Sequence, residues 1–277
     1  MTVVPSVTLN NGVTIPQLGY GVFQIPPEQT KDAVLAALDA GYRHIDGAQG
    51  YRNEREVGEA IAESGIDPAE IFLTSKLSNA YLTEDEARRS IDQTIEDSGV
   101  KRPDLFLLHW PLPTVRDFMV VWRTIEEAYA CGVFRAVGVS NFHVPHLERL
   151  FAESDLVPAV NQIELHPYLS QVPLREFGDL HGIVTEAWSP LGQGLLLEDD
   201  TIRAIASEVD RAPAQVVLRW HLQSGIVVFP KSSTPARMRE NLAVFDFELS
   251  DDQMARVHAL NRDERTGMNP DTWRYRY

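Results

Sequence analysis

Short apolar runs alternate along this chain with amphipathic segments of helical period. The alternation begins after a hairpin: Val7-Thr8-Leu9 and Val13-Thr14-Ile15 flank Asn10-Asn11-Gly12. Alternating residues about an Asn-Gly turn predict two antiparallel strands. Apolar runs at 18–22, 44–46, 71–76, 105–109, 135–140, 159–164, 183–188 and 226–229 then predict eight more strands. Several are apolar almost throughout, as strands buried on both faces are. Between and after them, 30–40, 53–64, 83–97, 117–130, 145–152, 174–180, 201–208, 213–223, 235–241 and 250–260 carry helical signals. In the first helix Ala33, Val34, Ala37 and Leu38 share a face, and Gly41 lies just past the end. Thr83 and Glu86 have the spacing of a capping box. Proline opens the helix at 145, and Ser250 caps the last one.

Strict alternation predicts a parallel sheet, and eight strand–helix units with short connections predict closure into a (β/α)8 barrel. A doubly wound open sheet is the alternative, but the first strand ends in Gly19-Tyr20-Gly21 without the third glycine of a dinucleotide fingerprint. The chain shows no repeat, linker or low-complexity tract, and residues 1–277 read as one barrel domain. The tail from Gly267 to Tyr277, with Trp273, Tyr275 and Tyr277, has no helical pattern; it is expected to be either a lid near the active-site face or a frayed end.

Composition narrows the class. The 277 residues suit a single barrel. A net charge of −15 argues against a nucleic-acid partner. Cys131, the one cysteine, excludes an internal disulfide and fits a reducing compartment; it precedes Gly132 at a predicted helix end and is read as structural. There is no N-terminal apolar h-region, and no apolar run reaches ~18 residues. These features predict a cytoplasmic protein with no membrane segment.

The strand ends carry the chemistry. In a barrel the C-terminal strand ends form the active site. Here they are Gly21, Asp46, Lys76, His109, Ser140-Asn141, Gln162-Ile163-Glu164, Trp188-Ser189 and Lys231-Ser232, with Tyr51 in the loop after Asp46. One aspartate at a strand end usually caps the next helix, and one histidine there is as often structural as functional. Eight such endings on one rim read as a site. A free tyrosine, with a pKa near ~10, is a poor acid at neutral pH. A buried Lys76 beside Tyr51 would pull that pKa down, Asp46 would hold Lys76 charged, and His109 would orient a substrate oxygen. The set suits reduction of a carbonyl, whose oxygen must gain a proton as hydride arrives.

A second constellation, Lys231-Ser232-Ser233-Thr234-Pro235-Ala236-Arg237, follows the last strand and opens a helix, with Thr234 at the N-cap and Pro235 at the first position. Helix N-termini bind anions, and barrels often bind phosphate after their last strands. The helix dipole disfavours Arg237 in the first turn unless an anion sits there. A solvated basic helix start is the simpler alternative. Together the two constellations suggest a phosphate-bearing hydride donor reaching a carbonyl.

Over nearly its whole length the chain resembles the aldo-keto reductase superfamily. The matching pieces are Gly41–Asp46, Tyr51-Arg52-Asn53-Glu54, Ser75-Lys76-Leu77, Leu108-His109-Trp110-Pro111, Gly138–Phe142, Asn161–Glu164 and Phe229–Ser232. The stretches Ile15–Phe23, Pro190–Gly194 and Val227–Ser232 look especially like bacterial 2,5-diketo-D-gluconate reductases. The resemblance implies a barrel using NADPH, Tyr51 as general acid, Lys76 and Asp46 as its tuning pair, and His109 as the carbonyl-orienting residue. It also implies Ser140, Asn141 and Gln162 at the nicotinamide carboxamide, Trp188 stacked on the ring, and Gly21, Ser189, Leu191 and Gln193 along the cofactor. Lys231, Ser232, Ser233 and Arg237 would hold the 2′-phosphate, with Glu240 and Asn241 near the adenine.

Two departures bear on the substrate. Gly47 follows Asp46 and Gly50 precedes Tyr51, so the loop presenting Tyr51 is expected to be more mobile, and Ser78 stands where the family often has tryptophan. The expected substrate class is keto-sugar acids such as 2,5-diketo-D-gluconate, with general aldehydes or methylglyoxal as the alternative. The expected state is a monomer. Two rivals come from other classes: a metal-dependent hydrolase using His44, Asp46, His109 and His166, and a non-catalytic NADPH-binding module, in which Tyr51 would be dispensable.

Overall fold

The computed structural model describes residues 4–100 and 102–274. Strands β1 (Ser6–Thr8) and β2 (Thr14–Pro16) form the expected hairpin, with Val7 opposite Ile15. Then come β3 (Tyr20–Gly21), α1 (Pro27–Ala40), β4 (His44–Asp46), α2 (Glu54–Glu63), β5 (Phe72–Leu77), α3 (Glu84–Ser98), β6 (Leu105–Leu108) and α4 (Phe118–Ala130). The second half runs β7 (Ala136–Ser140), α5 (Val144–Glu153), β8 (Val160–Glu164), α6 (Val172–Leu180), β9 (Val184–Trp188), α7 (Asp200–Val209), α8 (Pro213–Gln223), β10 (Val227–Val228), α9 (Pro235–Leu242) and α10 (Asp251–His258).

Strands β3 to β10 lie side by side in chain order, all parallel. The first and last strands also meet. The Gly19 amide donates to the Val228 carbonyl at 2.7 Å and the Val228 amide to the Gln17 carbonyl at 3.0 Å, so the sheet closes on itself. Gly21 lies on this seam, where a Cβ would come within 2.8 Å of the Phe229 carbonyl oxygen; only glycine lets the strands approach there.

Side chains alternate between barrel interior and helix-covered exterior. Outside, Trp122, Ile125 and Phe134, among many others, pack between sheet and helices. Inside, Phe72, Leu105, Leu107, Ala136, Val160 and Val227 join Leu9 and Ile15 of the hairpin in a separate apolar cluster. The hairpin therefore plugs the N-terminal mouth. Two or four residues further along the same inward-facing period the interior becomes polar: Lys76, His109, Ser140, Gln162 and Glu186.

Several boundaries differ from expectation. Helix α1 starts at Pro27 rather than Thr30, because proline's fixed φ suits the first helical turn. The regular parts of β3 and β10 are only two residues each. A 3-10 segment, Gly192–Glu198, occupies the loop after β9, kinked at Gln193 (φ 55°) and Gly194 (φ 94°). The Thr83–Glu86 capping box forms as expected. Cys131 ends α4 and is exposed, so it has no part in the core.

The tail is a strap across the C-terminal rim. Glu164, fully buried, accepts hydrogen bonds from the Thr266 amide (2.6 Å), the Thr266 hydroxyl (2.7 Å) and the Gly267 amide (3.1 Å), with Arg265 at 3.4 Å. A Cβ on Gly267 would meet the Trp188 ring at 2.4 Å, so the strap lies directly on that indole. Further on, Trp273 packs on Trp110, ring centroids 4.4 Å apart. Tyr275 and Tyr277 lie outside the described residues. No helix of the described residues is long and apolar enough to cross a membrane.

Candidate active site

Lys76 leaves β5 into the barrel and has no solvent exposure. Its ammonium donates to both oxygens of Asp46 at 2.9 Å, to the Gly47 carbonyl at 2.8 Å, and reaches the Tyr51 hydroxyl at 3.3 Å. Burial alone would lower the lysine's pKa, but the Asp46 carboxylate and Tyr51 more than offset this, so Lys76 stays charged. A buried charge persists only when paired in this way.

Tyr51 ends a 3-10 turn, Gln49–Tyr51. Gln49 fastens that turn: its carboxamide oxygen accepts from the Ser78 amide at 2.9 Å and from the Ser90 hydroxyl, and its NH2 donates to the Ser90 carbonyl. Gly47 thus precedes an anchored turn and Gly50 lies within it. The Tyr51 ring meets His109 edge-on at 5.9 Å and packs against the half-exposed Phe23 at 5.0 Å. Burial raises the pKa of Tyr51; Lys76 acts in the opposite direction and is outweighed. This corrects the expectation that the lysine lowers that pKa below the free value: Tyr51 holds its proton firmly at neutral pH. Burial, then Lys76 and Arg116, hold the His109 pKa well below its ordinary value, so the imidazole is neutral. Its Nδ1 is buried without a partner.

Beside this group lies a second polar network. The Trp188 indole N–H donates to Asn141 Oδ1 at 2.8 Å; Asn141 Nδ2 donates to the His109 carbonyl at 2.9 Å and to Ser140 Oγ at 3.0 Å. Ser140 Oγ donates to the Gln162 carbonyl at 2.8 Å. Asn141 and, directly after Trp188, Ser189 have left-handed backbones (φ 62° and 50°), sparsely populated conformations that collect at functional sites. Leu191, half-buried, caps the kinked 3-10 segment, and Gln193 lies within it, exposed.

The third group sits at the start of α9. Lys231, Ser233, Arg237 and Glu240 are exposed, while Ser232 and Asn241 are buried. The Ser232 carbonyl accepts from the Tyr20 hydroxyl at 2.6 Å, which ties this loop to the barrel seam near Gly21. Thr234 occupies the N-cap position as expected, but its side chain makes no capping bond; Ser232 Oγ accepts the Thr234 amide instead. Lys231 and Arg237 enter no ion pair among the described residues, so a helix N-terminus and two cations stand available to an anion.

Sequence reasoning missed two buried carboxyls. Glu186 on β9 has no exposure, and burial, reinforced by Asp46, pushes its pKa up to about 8. It lies two residues before Trp188 on the same strand face, so strand periodicity alone points to it. Glu54 packs behind β5, accepting from Ser75 Oγ at 2.5 Å and Thr94 Oγ1 at 3.2 Å, and burial pushes its pKa up to about 7. The histidines of the hydrolase alternative are spread apart. His44 lies in the lower barrel against Thr74 and Phe72, and His166 bonds Glu164. No group of three or more potential metal ligands forms among the described residues.

The aldo/keto reductase family matches residues 16–262. An aldo-keto reductase of Mycolicibacterium smegmatis is 48% identical over 271 residues, covering 98% of each chain. A methylglyoxal reductase of Yersinia pestis is 41% identical over 275 residues, covering 99% of each. A crystal structure of a Gox0644 variant in complex with NADPH superposes with a TM-score of 0.95 at 41% identity, covering 99% of this chain and 100% of the other. The chain belongs to the aldo/keto reductase family. It is an NADP-dependent oxidoreductase acting on carbonyl groups, built on the (β/α)8 fold.

Proposed function

We propose that this protein reduces the carbonyl of a keto-sugar acid such as 2,5-diketo-D-gluconate to an alcohol, with Tyr51 as general acid. The observation that carries the acid–base part of this reading is the buried chain Asp46–Lys76–Tyr51, with neutral His109 edge-on to the phenol. When bound, NADPH supplies the hydride. Tyr51 enters the reaction protonated, as an acid must. Lys76, locked by Asp46, lies 3.3 Å from the phenol oxygen and stabilises the phenolate left when the proton goes. His109, being neutral, offers an N–H to the substrate oxygen without adding charge.

The residues present fit the cofactor. The cations Lys231 and Arg237, with Ser232 and Ser233, would hold its 2′-phosphate at the α9 N-terminus, and Glu240 and Asn241 would face the adenine. Ser140, Asn141 and Gln162 would take the nicotinamide carboxamide, and Trp188 the ring. Gly21, Ser189, Leu191 and Gln193 would line the path between. Ser78 in place of a tryptophan supports room for a polyhydroxylated substrate. The Yersinia pestis relative favours methylglyoxal-type aldehydes as the second reading. We read the protein as a cytoplasmic monomer.

The test follows NADPH and NADH absorbance with 2,5-diketo-D-gluconate, methylglyoxal and an aromatic aldehyde. Faster turnover with NADPH, greatest on the keto-sugar acid, is expected. Tyr51→Phe should lower kcat by about 10²–10⁴-fold while NADPH still binds. Unchanged kcat in that variant would overturn the assignment of the acid, and a preference for methylglyoxal would transfer the substrate to the second reading.

A further inference from the structure

We propose that Glu186 is a positioning residue of this reductase: a protonated carboxyl that holds the Gln162 carboxamide against Asp46 across the barrel interior and leaves Asp46 and Lys76 as a closed ion pair. The proposal rests on the reading of the site given above and adds to it a residue that neither the motifs nor the acid–base set contains.

The geometry runs through one nitrogen. Gln162 Nε2 has two hydrogens. One goes to Asp46 Oδ1 at 2.9 Å, the other to Glu186 Oε2 at 2.9 Å. Gln162 is on β8 and Asp46 on β4, so the first bond spans the barrel; Glu186 is the neighbour of Gln162 in register on β9. The carboxamide is therefore fixed from both sides. Lys76 directs its donors to Asp46, Gly47 and Tyr51, and none reaches Glu186. Two buried carboxyls thus face one ammonium already committed to the other. Burying a second, unpaired carboxylate is costly, and the cheaper state keeps its proton. With Oε2 accepting from Gln162, the hydroxyl is Oε1, which is buried and has no partner among the described residues.

The charged groups acting on Glu186 are Asp46 from β4 and Lys76 from β5. On β10 its register neighbour is Val227. Helix α6, packed on β9, carries Arg175, Glu176 and Asp179, whose charges act on one another. Ionisation of Glu186 at alkaline pH places a second negative charge in the layer from which Tyr51 must release its proton. Like charge disfavours the phenolate, and proton donation slows.

Three proteins test this: wild type, Glu186→Gln and Glu186→Leu. The infrared difference between wild type and Glu186→Gln should contain the carbonyl band of a protonated carboxylic acid below about pH 7, lost above about pH 9. In the wild type kcat/KM should fall about tenfold as pH rises through this range, and Glu186→Gln should lack that limb. Glu186→Leu removes one anchor of Gln162 and should weaken NADPH binding about tenfold, measured by quenching of protein fluorescence. Glu186→Gln, whose amide oxygen still accepts from Gln162, should rescue that loss. Absence of the infrared band, or the same alkaline limb in wild type and Glu186→Gln, would overturn the proposal. So would wild-type NADPH affinity in Glu186→Leu. If no variant and no wild type turned over any carbonyl, the reductase reading would fall, and the infrared and binding measurements would still decide the state of Glu186.

Discussion

The lower and upper halves of the barrel interior are made by the same strands, two to four residues apart. Below, Phe72, Leu105, Leu107, Ala136, Val160 and Val227 close on the hairpin residues Leu9 and Ile15. Above, Lys76, His109, Ser140, Gln162 and Glu186 take later positions of the same period. The lower layer gains by removing apolar surface from water and needs only volume and shape. The upper layer is largely buried as well, but its stability depends on every polar atom finding a partner. Lys76 satisfies that demand with Asp46, Gly47 and Tyr51. Glu186 and His109 each keep one unpartnered atom. Chemistry in this fold is thus a change of side chains on an unchanged scaffold, with the apolar floor holding the strands that aim the polar ones.

The sharpest break of this comparison is Lys76→Met. It leaves Asp46 buried without its cation, and should lower stability by ~3–5 kcal/mol in urea unfolding and abolish turnover together. Retained stability would mean that Asp46 takes up a proton and the upper layer tolerates loss of its ion pair. Next comes Leu107→Ala in the floor. A cavity there should lower stability by ~2–5 kcal/mol while kcat changes by less than about threefold, because the upper contacts remain. A parallel collapse of kcat would show that the two layers are not separable.

The smallest effect is a pH slope. Glu186 and Glu54 keep their protons up to about 8 and about 7 in the folded chain. In the unfolded chain each loses its proton near the ordinary glutamate value of 4.5. Between these values the folded state binds more protons, so stability falls as pH rises. The double variant Glu54→Gln, Glu186→Gln should flatten the urea midpoint between about pH 5 and about pH 8 relative to wild type. Leu107→Ala should shift the midpoint equally at both ends. An undiminished slope in the double variant would assign the titration to other groups.

Much of this was legible from residues in order. The hairpin, eight strands and their order followed from alternation and turn chemistry, and the strand-end rule collected Asp46, Lys76 and His109 because barrels present those ends to the site. Glu186 escaped because it lies two residues before the end of its strand, although its period with Trp188 marked it as inward. Glu54 escaped because it reads as an ordinary acidic residue in the first turn of α2.

The order of residues is enough to set the period of each element, the closure into eight units and the types of group available on the rim, since these depend on local patterning and on rules that hold for any parallel barrel. Which groups share atoms was settled by folding. It brought Gln162 across the barrel to Asp46, laid Gly267 on Trp188, and set burial against Lys76 at Tyr51 so that the phenol keeps its proton. Such outcomes turn on distances between residues far apart in the chain and on the loss of water around them, and neither quantity is written in local order.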